Sequence, residues 1–255
     1  VEINMMKSAI LRVMARAAAL CGVAAAAHAG TVIELRFGAV ESGLVSIENG
    51  WARVERASMP ARYQLINLET GQVYNVNSRR RMISVLPDDS AGPAAAPDAP
   101  PTGATLKPAG EGPTLLGSST LSYEVRFQDR LCGVAHVSAM PRNTDLGRYE
   151  AAMSAYTHAT HRLALSQAAG QGMTADVCDL AALSFEPALR QQGHVLRYVR
   201  NDQPAMEIVG IRTGAAVDGE RLRLPQDFET VMLFQQHPKS AAGSRATLAN
   251  GDEST

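Results

Sequence analysis

The sequence predicts an α+β protein: a curved antiparallel sheet, or half-open β-barrel, covered by one long helix and short helical segments. Three observations carry this reading. Apolar and polar residues alternate well in residues 31–37 and 121–127, the Asn49-Gly50 dipeptide joins two strand-like arms, and a single apolar stripe runs from Leu146 to Leu163 at spacings of three and four. Alternation is the period of a half-buried strand, and the three-four spacing is that of one helix face.

Residues 1–29 read as a cleavable export leader. Lys7, Arg12 and Arg16 precede an uncharged, alanine-rich run, and Ala27-His28-Ala29 offers a small-x-small cleavage pattern. Cys21 follows Leu20, a residue too bulky for the small-residue subsite of a lipoprotein peptidase, so soluble release is the expected outcome. A single domain is expected over 30–238, with a disordered tail over 239–255.

Within that domain, Ile33, Leu35 and Phe37 share one face of the first strand, with Glu34 and Arg36 on the other. Asn49 and Gly50 both tolerate the positive φ of a type I′ turn, so residues 44–55 form a hairpin. A second hairpin spans 64–76 about Glu69-Thr70-Gly71, and residues 82–86 add another strand, giving a meander of about five short strands. Residues 88–113 interrupt it: 17 of the 26 are Ala, Pro or Gly, which marks an exposed insertion. The 121–127 strand then turns at Gln128-Asp129-Arg130 and returns through Cys132, Val134, His136 and Ser138.

The long helix is expected to start at Thr144 or Asp145 and to stop at Gly170 and Gly172. Its stripe comprises Leu146, Tyr149, Met153, Tyr156, Thr160 and Leu163, with Arg148, Glu150 and Arg162 outside it. One or two short helical turns follow in 176–190, broken at Pro187, and four closing strands are expected at 195–200, 206–212, 220–224 and 229–234.

Lys plus Arg number 24 against 25 Asp plus Glu, a balance that argues against nucleic acid as a partner. No stretch beyond the leader is long and apolar enough for a membrane span. Removing residues 1–29 leaves two cysteines, Cys132 and Cys178. An even pair in an oxidising compartment points to a disulfide, with two buried thiols as the alternative.

Catalytic and metal signals are sparse. His158 and His161 stand i, i+3 on the helix, but no third ligand accompanies them, so a structural role is expected and no metal or other cofactor. His136, His194 and His237 leave a dispersed Ser/His/Asp site open, although no G-x-S-x-G elbow exists. Gly43, Gly50 and Gly71 are isolated turn glycines. Arg79-Arg80-Arg81 reads as a solvated turn, with contact to an anionic surface or acidic peptide as the sharper alternative. Trp51 and the alternating Tyr, Phe and Met residues either fill a core or line an apolar pocket; the space between sheet and long helix decides which.

The run Val45-Ser46-Ile47-Glu48-Asn49-Gly50-Trp51-Ala52-Arg53-Val54-Glu55 precedes a second run, Tyr63-Gln64-Leu65-Ile66-Asn67-Leu68-Glu69-Thr70-Gly71-Gln72-Val73-Tyr74. Tyr123-Glu124-Val125-Arg126-Phe127, Cys132, Val137-Ser138 and the long helix come later. This order resembles periplasmic proteins of unknown function grouped with the lipoprotein-carrier superfamily, whose domains are half-open antiparallel barrels lidded by helices. The resemblance implies a non-enzymatic periplasmic protein that binds an apolar small molecule, an acyl chain, a lipid or an envelope lipoprotein. An envelope protein-interaction or stress-related component without a ligand is the alternative expectation, and a secreted hydrolase the second.

Overall fold

The computed structural model describes residues 29–86, 100–140, 143–169 and 176–233. The leader expected over 1–29 therefore lies outside the described residues, apart from Ala29. So do the first part of the 88–113 insertion, the helix stop at Gly170 and Gly172, and the 239–255 tail.

A single twelve-stranded sheet forms the body, curved and not closed into a barrel. Six strands follow in sequence: β1 (Ala29–Phe37), β2 (Glu41–Glu48), β3 (Trp51–Arg56), β4 (Arg62–Asn67), β5 (Val73–Asn77) and β6 (Met82–Val85). The second half comprises β7 (Ala104–Glu111), β8 (Leu121–Phe127), β9 (Arg130–Ser138), β10 (His194–Arg200) and β11 (Gln203–Ala216), and β12 is Glu229–Met232. The two meanders join edge to edge through antiparallel β1 and β11, in the order β12-β6-β5-β4-β3-β2-β1-β11-β10-β9-β8-β7. All pairings are antiparallel except that of β12 with β6.

The expected hairpins form. Asn49 and Gly50 have φ of 50° and 76° and are flanked by the Glu48–Trp51 pair, so the turn twists with its strands. Three parts of the sheet differ from expectation. Residues 104–111 of the Ala/Pro/Gly-rich insertion are strand β7, which an edge position permits because Pro108 needs no outward partner for its missing N–H. Residues 219–222 form a 3-10 turn capped by Asp218 instead of a strand. The meander before the insertion has six strands, not five.

Two helices lie between β9 and β10 in the chain. Helix α1 (Thr144–Ala169) has 26 residues and is about 39 Å long. Its cap is Asn143, whose Oδ1 accepts from the N–H groups of Asp145 and Leu146 at 3.0 and 3.1 Å. Asp145 is left free to accept from Thr31 Oγ1 at 2.7 Å, which ties the helix start to β1. Leu146, Tyr149, Ala152, Met153 and Tyr156 pack on Ile33, Leu35, Val45, Ile47 and Ile208, so the apolar side of the sheet faces the helix.

Helix α2 (Val177–Gln192) is one continuous 16-residue element, not broken turns. Asp176 caps it through the Cys178 N–H at 2.9 Å, and Pro187 sits inside it without ending it. Cys178 and Ala181 pack with Cys132 and Val125, and Leu189 with Ala135 and Val137. Cys132 and Cys178 are disulfide-bonded with Cα atoms 5.1 Å apart, which staples α2 to β9.

The outer face of the sheet has its own core. Trp51 stacks on Tyr74 with ring centroids 6.0 Å apart, beside Leu65, Val76, Ile83 and Val85, and Leu224 and Phe228 pack over them. Trp51 thus packs, partly buried, against this outer core.

Candidate functional site

The space under the helices is not filled. A cleft of about 390 Å³ lies between α1, α2 and strands β1, β10 and β11. Leu35, Phe37, Met206 and Ile208 form its floor, and Met153 and Leu189 its helical walls. The strand residues arrive there because alternate positions of β1 and β11 face inward; their neighbours Arg36 and Glu207 point to the other side and pair with one another at 3.5 Å.

Polar groups gather where the two helices approach. Ser154 on α1 donates to the Glu186 carboxylate on α2, and Arg190, one turn further along, reaches Ser154 Oγ at 3.2 Å and Glu186 Oε1 at 2.5 Å. Burial pushes the Glu186 carboxyl above the ordinary carboxylate range, and the Ser154 and Arg190 contacts only partly offset it. Glu150 does not look into solvent: its Oε2 accepts from His194 Nδ1 at 2.8 Å, and His194 Nε2 is buried without a hydrogen-bond partner among the described residues. Tyr149 is partly buried in the same wall, and desolvation raises its phenol far above the ordinary value.

His158 and His161 diverge. His158 is buried and lines the cleft, whereas His161 is half-exposed on the next turn. Among the described residues, no group of three or more His, Cys, Asp or Glu side chains is placed to hold a metal ion.

A serine–histidine contact lies elsewhere. Ser122 Oγ and His136 Nδ1 are 3.0 Å apart on the outer face, in a row that continues across four strand pairings through Arg197 and Glu207 to Arg36. Glu207 bonds Arg197 at 2.5 Å instead of the imidazole, and among the described residues no carboxylate orients the ring. The backbone at Gly112 passes directly over the pair: a Cβ there would stand 2.8 Å from Ser122 Oγ and 3.0 Å from His136 Nδ1. A nucleophile needs an oriented base and room for substrate, and this pair has neither. Burial and the Arg197 charge lower the His136 pKa.

A second depression of about 470 Å³ opens on the helix side of the first meander, lined by Val54, Arg56, Arg62, Gln64, Asn75 and Arg80 among others. Of the Arg79-Arg80-Arg81 run, Arg80 reaches this depression, while Arg81 turns away to pair with Asp227 and Arg79 lines a neighbouring hollow. The convergence of Arg56, Arg62 and Arg80 is not legible in the sequence, because each comes from a different strand or turn. The available signal was the parity of Arg56 and Arg62 about the β3–β4 turn.

No known family model and no curated protein matches the chain. Among solved structures, PNGF-II in its C2 and P21 space groups is similar at 10% sequence identity, with TM-scores of 0.40 and 0.37. The match covers 80% of this chain and 31% of PNGF-II, so the chain spans about a third of the length of that protein.

Proposed function

We propose that the protein is an exported, non-enzymatic binding protein that holds an apolar ligand, of the acyl-chain kind, in the cleft between the sheet and the two helices. The observation that carries this reading is the cleft itself, about 390 Å³ and floored by Leu35, Phe37, Met206 and Ile208. That volume lies within the usual range for small-ligand sites, and the lining has the expected make-up: mostly apolar, with a few polar groups at one side. Each methylene moved from water into such a site contributes about 0.8 kcal/mol, so a chain of several carbons binds without any specific polar contact. The Cys132–Cys178 bond supports an oxidising compartment such as the periplasm.

The test uses native mass spectrometry of protein taken from its own envelope, together with fluorescence of the apolar probe N-phenyl-1-naphthylamine. The expected results are a bound apolar mass and saturable probe binding that alkanols compete away. Ala182 lines the cleft from α2, and Ala182→Phe should fill the space and abolish probe binding while the fold survives. Probe binding that is undiminished in folded Ala182→Phe protein would overturn the proposal.

A further inference from the structure

The arginine-lined depression suits a different part of a ligand. We infer that Arg56, Arg62 and Arg80 form an oxyanion site that receives the phosphate-type headgroup of the amphiphile whose chain lies in the cleft. This inference rests on the function proposed above for that cleft.

Three observations support the site. First, no carboxylate lines the depression, and among the described residues the side chains of Arg62 and Arg80 have no ion-pair partner. Second, Arg56 and Arg62 stand next to one another across β3 and β4, one position beyond the Glu55–Tyr63 pair. Like charges opposed on adjacent strands destabilise a sheet, and a shared anion relieves that cost. Third, the floor offers neutral polar groups already held in place: Gln64 Nε2 donates to Asn75 Oδ1 at 2.9 Å, and Asn75 Nδ2 donates to Tyr156 on α1 at 2.8 Å. Guanidinium groups match a phosphate bidentately, so three of them on one hollow select for a multivalent oxyanion over a halide.

The link to the cleft runs through Arg56. Its guanidinium lies over the Phe37 ring, 4.2 Å from the centroid, and Phe37 is part of the cleft floor. Its one ion-pair partner among the described residues, Glu41, is 3.8 Å away and also accepts from Ser58 Oγ, so Arg56 keeps donors for a ligand. The apolar and cationic sites therefore meet at a single side-chain contact, the arrangement that a chain with a charged end requires.

The experiment is calorimetric titration of the whole protein with three probes: decyl phosphate below its micelle concentration, decanol, and inorganic phosphate. Arg62 and Arg80 are exposed, so the double variant Arg62→Gln/Arg80→Gln leaves the core and the Arg56 stack in place. It should weaken decyl phosphate by at least about tenfold, the scale of losing charge-assisted contacts, and change decanol by less than about twofold. Added salt should weaken decyl phosphate and leave decanol unaffected. Equal decyl phosphate affinity in the wild type and the double variant would overturn the headgroup site, while decanol binding would still uphold the cleft. Inorganic phosphate binding as tightly as decyl phosphate would overturn the link between the two sites. Failure of decanol to bind the wild type would sink the cleft reading itself and the amphiphile with it.

Discussion

Tyr156 on α1 accepts a hydrogen bond from Asn75 Nδ2 on β5 at 2.8 Å, across 81 residues of sequence. The bond crosses from the helix to the far half of the first meander, so it fixes where α1 lies along the concave face. Burial raises the Tyr156 phenol, and the bond from Asn75 works against that rise by favouring the phenolate.

Tyr156→Phe should therefore destabilise the protein by about 1 kcal/mol, the net worth of one hydrogen bond whose donor is left half-buried. Urea midpoints of Tyr156→Phe, Asn75→Ala and the double variant measure the coupling. Strict additivity would show that the contact does not hold the helix. In Asn75→Ala, the Tyr156 titration followed by ultraviolet absorbance should move further upward.

The disulfide has a larger expected effect. It joins residues 46 apart in sequence, and closing a loop of that length restricts the unfolded chain by about 4 kcal/mol at most. Cys132→Ser/Cys178→Ser should lower the urea midpoint accordingly. Since the bond pins the first turn of α2, amide exchange should accelerate first in α2, before β9. Exchange that rises uniformly would mean α2 is held by its packing alone.

Local pattern accounts for what the sequence predicted well. Strands 31–37 and 121–127, the Asn49-Gly50 hairpin and the stripe that begins at Leu146 each carry their signal within one short window; the strands and hairpin form, and the stripe packs on the sheet from Leu146 to Tyr156. The misses need information from elsewhere in the chain. Strand β7 carries Pro108 and small residues, which are tolerated only because the strand sits at the sheet edge. Helix α2 continues through Pro187 because Asp176, the disulfide and the packing of Leu189 hold both sides of it. The same limit applies to the site: Phe37, Met206 and Leu189 read as ordinary core residues until the fold leaves a space between them, and Arg56, Arg62 and Arg80 are unrelated in sequence.

His136 should make stability fall in mild acid. Burial and the neighbouring Arg197 hold its folded pKa below the ordinary value near 6.5, so the unfolded state takes up a proton before the folded state does. Stability from this group is complete above that ordinary value and is lost as pH falls through the folded pKa. His136→Gln should flatten the urea midpoint between pH 7 and pH 5 relative to wild type; an unchanged slope would remove His136 as its source.

Glu186 acts in the opposite direction. Its carboxyl is raised because burial between the helices outweighs the Ser154 and Arg190 contacts, so the folded state keeps its proton to higher pH than the unfolded state does. Its contribution is therefore complete below the ordinary value of 4.5 and is lost as pH rises through the folded pKa. The two groups oppose one another in mild acid, so His136→Gln and Glu186→Gln should change the slope between pH 5 and pH 7 in opposite directions. Glu186→Gln keeps an acceptor for Ser154 and cannot ionise. It should steepen the rise of stability with pH by exposing the His136 contribution, and Glu186→Gln/His136→Gln should return a nearly flat profile. The two sites lie on opposite faces of the sheet and share no partner, so their effects should add within about 0.5 kcal/mol. A double variant as steep as Glu186→Gln alone would show that the slope comes from a different group.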